Sequence, residues 1–101
     1  MDGFMEALLA IYQIIDMIVT IMIMLVIIQF IIGLLFAFNV INSSNEFMTA
    51  FYTSINRLLD PVLRPIRRIL PETGAIDFSP LVLIVVLNIV LIVLGSVIRS
   101  I

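Results

Sequence analysis

Two long apolar runs, joined by a segment of mixed character, dominate the chain. Met17 to Phe38 is interrupted only by Thr20, Gln29 and Gly33. At 1.5 Å per residue it spans roughly 33 Å, close to the roughly 30 Å of a bilayer's hydrocarbon core. Leu81 to Ile98, interrupted by Asn88, Gly95 and Ser96, spans roughly 27 Å. The runs are rich in Ile and Val, which favour strands in water. Their length decides for helices, because a segment in lipid must satisfy its own backbone hydrogen bonds. Residues 2–16 carry acidic positions and no proline, so the first helix is expected to begin near Phe4 and to keep a water-side extension. A cleaved signal would need a basic start and a shorter apolar core.

Between the runs the pattern changes twice. Asn39, Asn42, Ser43, Ser44 and Asn45 form a turn, with Ser44 or Asn45 placed to cap the next helix. Residues 46–59 then repeat Phe47, Phe51, Ile55 and Leu58 at helical spacing, which predicts an amphipathic helix at the interface with Phe47, Phe51 and Ile55 sheltered. Thr49, Thr53 and Asn56 face the other way. Asp60-Pro61 predicts the start of a further short helix. Pro65 predicts a kink in it, and Pro71 its end. Ser79-Pro80 launches the second span. The fold class is therefore an all-α membrane protein: a two-transmembrane-helix hairpin, about 17–38 and about 80–98, with an amphipathic, Arg/Pro-rich helical connection over 39–79 in a single domain of 1–101.

Composition agrees. Hydrophobic residues make up 63% of 101 residues and charged ones 12%; a soluble chain this short could not bury so much apolar surface in its own core. With neither His nor Cys, the chain lacks the usual general base, metal ligand, haem ligand and thiol nucleophile. No catalytic, cofactor or metal residues are assigned, and the six scattered Met residues read as packing or lipid-facing. The net charge of −2 argues against a general nucleic-acid binder.

The chemistry that remains is charge at an interface. All five basic residues are arginines, and Arg57, Arg64, Arg67 and Arg68 lie in the connection. They place the connection in the cytoplasm and both termini in the periplasm. They also allow contact with anionic headgroups of the bilayer, or internal pairing of Arg67 or Arg68 with Asp60, Glu72 or Asp77. Four arginines against Glu46, Asp60, Glu72 and Asp77 leave the loop formally neutral. Within the spans, Gln29 and Asn88 sit at matched depths from the cytoplasmic ends, which predicts a hydrogen bond between them across the hairpin, the alternative being that one of them faces a neighbouring subunit or partner. Asp16 and Arg99 fall together near the far interface as a candidate ion pair.

The run Leu59-Asp60-Pro61-Val62-Leu63-Arg64-Pro65-Ile66-Arg67-Arg68-Ile69-Leu70-Pro71, followed by Gly74, Ile76-Asp77 and Ser79-Pro80, resembles the signature of the YggT family of small bacterial membrane proteins. Asp16 and Ala37-Phe38-Asn39-Val40-Ile41-Asn42 extend the likeness. The chain departs from the family pattern at Gly33-Leu34, where a Ser-Trp pair is common. The resemblance implies an inner-membrane location and a role in osmotic-stress tolerance, cell division or envelope organisation, or in membrane-cofactor assembly. The reading is a non-catalytic scaffold or assembly factor for other membrane proteins. The alternative is a homo-oligomeric channel or transport subunit lined by Asp16, Gln29 and Asn88.

Overall fold

In a computed structural model, which describes residues 2–71, 74 and 76–101, the chain forms three helices. These are α1 (Asp2–Ala37), α2 (Glu46–Ile69) and α3 (Ser79–Ser100). Each packs on the other two. The first and third are long and apolar enough to cross a membrane. No strand occurs among the described residues.

α1 is one continuous helix of 36 residues, so the span and its N-terminal extension form a single rod. Its end is built by Asn39, the one described non-glycine residue with a left-handed backbone (φ 59°). The Val40 N–H bonds to the Leu35 carbonyl and the Asn39 N–H to the Phe36 carbonyl, closing the last turn in a Schellman arrangement. Asn tolerates this backbone better than any apolar neighbour would. Asn42 Oδ1 accepts the Ser44 N–H, and Asn45 Oδ1 accepts the Met48 N–H, so Asn45 is the N-cap of α2.

α2 departs from the expected pair of short helices. It runs unbroken for 24 residues through both Pro61 and Pro65. Both prolines are exposed, so the carbonyls they leave without a donor need not be buried. Meanwhile Ile55, Leu59 and Leu63 form a buried stripe that continues through the prolines onto Val26 of α1 and Leu83 of α3. Packing along that stripe outweighs the local helix-breaking tendency.

The buried side of α2 also differs from the expected one. Ile55 is sheltered at 7% exposure, but Phe47 is 74% exposed and Phe51 and Leu58 are open too. Asn56, expected outside, is part-buried. The core stripe lies roughly 100° around the helix from the Phe47–Phe51–Leu58 row. α2 therefore has three faces. One, with Ile55, Leu59, Leu63 and Ile66, covers the spans. A second carries Phe47, Phe51, Leu58 and Ile69 outward. The third carries Glu46, Thr49, Thr53, Arg57, Asp60, Arg64, Arg67 and Arg68.

Candidate functional site

Polar side chains converge where α2 crosses the loop ends of the two spans. Gln29, 2% exposed on α1, donates from Nε2 to Asn56 Oδ1 at 3.0 Å. Asn56 Nδ2 in turn donates to the Tyr52 carbonyl at 3.0 Å, which fixes the orientation of both amides. One turn along α1, Gly33 lies against the Tyr52 ring: a Cβ there would sit 3.0 Å from the Tyr52 hydroxyl. Phe36 meets the same ring at a centroid separation of 5.4 Å. Gly33 is thus the seat of Tyr52, and Gln29 and Asn56 lock the register of α2 on α1. A cavity of about 40 Å³, lined by Gln29, Gly33, Tyr52, Asp77 and Pro80 among others, adjoins this seam.

A second cluster ties α2 to α3. Arg67 Nε donates to Asp77 Oδ2 at 2.9 Å and to Ser79 Oγ at 3.2 Å. Asp77 Oδ1 accepts the Ser79 N–H at 3.0 Å and its hydroxyl at 2.6 Å. The N-cap of α3 is Phe78, which makes no side-chain cap bond, and Asp77 instead accepts the N–H of the first helical residue, the buried Ser79. Partial burial pushes the Asp77 carboxyl up, but the Ser79 hydrogen bonds and the Arg67 guanidinium more than offset it and hold its pKa below the ordinary aspartate value. Asp60 pairs with Arg64 one turn along and lies 4.0 Å from Arg67. These groups balance in charge, and the cluster reads as a clasp.

Of the internal pairings weighed for the connection, Arg67 with Asp77 and with Asp60 are formed. Glu72 lies outside the described residues. Arg57, Arg64 and Arg68 are exposed, and Arg57 and Arg68 meet no carboxylate among the described residues.

Two expected contacts across the hairpin are not made. Gln29 does not reach Asn88: it turns to Asn56 on α2, which the sequence-based depth count left out of the bundle. Asn88 is exposed on α3 and donates to the Ile84 carbonyl of its own helix at 2.9 Å. Asp16 and Arg99 do not pair either. Asp16 is exposed and its carbonyl accepts the Thr20 hydroxyl, while Arg99 Nε donates to the Gly95 carbonyl at 3.2 Å. At that end Tyr12, not Asp16, meets α3, its hydroxyl 3.2 Å from where a Gly95 Cβ would lie. Depth alone matched these residues; helix rotation, which depth does not specify, separates them. Sequence pattern does not mark Tyr52 and Tyr12 as contacts between helices, although Gly33 and Gly95, which they meet, are visible as small positions within the spans.

The model of the CCB3/YggT family matches residues 8–98. The chain is 56% identical over 34 residues to the Escherichia coli K12 protein described as uncharacterized protein YggT, a stretch that is 34% of this chain and 18% of that protein. It is 48% identical over 44 residues to an uncharacterized Haemophilus influenzae Rd protein, 44% of this chain and 22% of the relative. The matched stretches thus cover only about a fifth of the length of these relatives. No solved structure matches the chain.

Proposed function

Because the chain belongs to the CCB3/YggT family, we propose that it is a non-catalytic membrane scaffold or assembly factor that docks other membrane proteins against its spans. The observation that carries this reading is how little of the spans the molecule covers itself. Only 6% of the apolar window of α3 and 22% of that of α1 are buried. A preorganised loop end, held by the Gln29–Asn56 and Arg67–Asp77 contacts, presents that uncovered surface rigidly. Envelope organisation, as in cell division or osmotic-stress tolerance, is the setting such a scaffold would serve.

Four arginines in the connection support a cytoplasmic loop end with periplasmic termini in a bacterial inner membrane. The outward row of Phe47, Phe51 and Leu58 sits beside Arg57, Arg64 and Arg68 on α2 and suits the headgroup zone. A transport subunit is less well served, because Asp16, Gln29 and Asn88 line no common path: Gln29 is buried against α2.

Photocrosslinkers at exposed span positions such as Ile21, Met24 and Val86, activated in native membranes, test the proposal. The expected result is a small set of discrete protein adducts that depends on position. Adducts to lipid alone would overturn it, and ion flux through purified protein in liposomes would favour transport instead.

A further inference from the structure

Toward the ends of α1 and α3 away from the α2 contacts, a groove of about 380 Å³ opens between the two helices, lined by Leu9 and Tyr12 of α1 and by Asn88, Ile92, Gly95 and Arg99 of α3, among others. Residues 88, 92, 95 and 99 follow the spacing i, i+4, i+7, i+11, the 3.5-residue repeat of a helix–helix seam. α1 fills only part of it, through Tyr12 seated on Gly95.

We propose that this groove is a self-association face, in which α3 of a second copy docks and Asn88 hydrogen-bonds the partner's Asn88. Asn88 is exposed, and its one bond leaves Oδ1 and the second N–H of Nδ2 free. Near the middle of a span those groups are costly against hydrocarbon. Two copies inserted in the same sense are related by an axis along the membrane normal, so each residue faces its own counterpart at equal depth. An asparagine, which both donates and accepts, can bond to its counterpart.

The seam also fixes register, as a lone asparagine does in a coiled coil. A phospholipid is the competing occupant, since Arg99 at the mouth would suit an anionic headgroup. Its acyl chain would leave Asn88 unpaired, which favours the second copy. Arg99 does not oppose docking: its guanidinium sits at the water edge, where the side chain can turn outward and the charge is screened.

The chain has no cysteine, so single cysteines report cleanly. Placed at 88 or 92 they are expected to form disulfides between chains on oxidation in membranes, while cysteines at 90 and 97, on the opposite side of α3, are not. Equal crosslinking at all four positions, or none at 88 and 92, overturns the proposal.

Energy transfer between labelled chains, diluted into phosphatidylcholine–phosphatidylglycerol vesicles, gives a second measure. Asn88→Leu is expected to weaken association roughly 3- to 18-fold, the equivalent of the about 0.6–1.7 kcal/mol of interhelical hydrogen bonds in membranes; Asn88→Gln is expected to retain it. Unchanged association in Asn88→Leu overturns the proposal. So does a monomer that retains phospholipid and loses it in Arg99→Ala. This interface is independent of the scaffold reading: adducts to other proteins can persist when self-association fails, and the reverse.

Discussion

Gln29 and Asn56 show how a single side chain sets the register of a helix in this protein. Gln29 is buried and Asn56 part-buried, and Gln29 Nε2 donates to Asn56 Oδ1, while Gln29 Oε1 meets no hydrogen-bond partner among the described residues. Removing one partner strands the other. Gln29→Leu is therefore expected to destabilise the protein by about 1–3 kcal/mol, and Gln29→Leu with Asn56→Leu together by much less, because two apolar groups leave nothing unpaired. Thermal melts of the four proteins in detergent, read as a double-mutant cycle, check this. Asp77 makes a different prediction. Its pKa is lowered on folding, so its stabilisation is fully present above the ordinary aspartate pKa and is lost as pH falls through the lowered value. The Arg67 clasp is thus expected to hold at neutral pH and loosen only in acid below the usual carboxylate range, with Asp77→Asn flattening that dependence. Melting temperature against pH for both proteins is the measurement. The composition of the connection made an internal ion pair readable, but left Arg67 or Arg68 open to Asp60, Glu72 or Asp77; only packing selects Arg67 with Asp77. Gln29 was readable as an interhelical amide, but its partner was not: Asn56 sits on the polar side of a pattern dominated by Phe47, Phe51 and Ile55.

α2 is the element in which local pattern and tertiary packing diverge most. The large apolar residues at 47, 51, 55 and 58 define an obvious stripe, yet only Ile55 of these is buried in the protein. The cause is that an interfacial helix has two apolar surroundings, protein and lipid, and sequence periodicity alone does not separate them. The three faces of α2 make the separation measurable. Nitroxides at 47, 51 and 58 are expected to be more accessible to oxygen, which partitions into lipid, than to a water-soluble nickel complex. Those at 53, 57 and 64 are expected to show the reverse, and those at 59 and 63 low access to both. The unbroken passage through Pro61 and Pro65 was illegible for a related reason. A proline announces its local cost, about 3 kcal/mol in a helix interior, but not the packing of Leu59, Leu63 and Ile66 that offsets it. The spans posed no such difficulty, since length and apolar content fix them without any knowledge of neighbours.

At the scale of the whole molecule, the three helices are unequally distributed along an envelope of 58 × 29 × 19 Å. α2 packs on both spans at their loop ends, through Val26 and Leu83, while at the other end Tyr12 and Gly95 bring only α1 and α3 together. The hairpin was legible in the sequence because two spans and one connection leave few topologies. That the connection adds a third packed helix at one end was not, since it depends on Gly33 receiving Tyr52 and on Ser79 meeting Arg67. The asymmetry has a mechanical consequence. With α2 in the headgroup zone, as proposed above, one leaflet would hold three helices and the other two, and the larger cross-section on that side would relieve stress where that leaflet is stretched. Curvature-sensitive partitioning is a known property of helices seated at this depth. The protein is expected to enrich in small vesicles over large ones of the same lipid when α2 lies in the outer leaflet, and to show the opposite preference when inserted the other way. Sorting of labelled protein between vesicle sizes measures it, and truncating the outward aromatics with Phe47→Ala and Phe51→Ala is expected to shrink the bias. With that outcome, the shape of the bilayer itself becomes a signal the molecule can read, gathering it where the membrane bends.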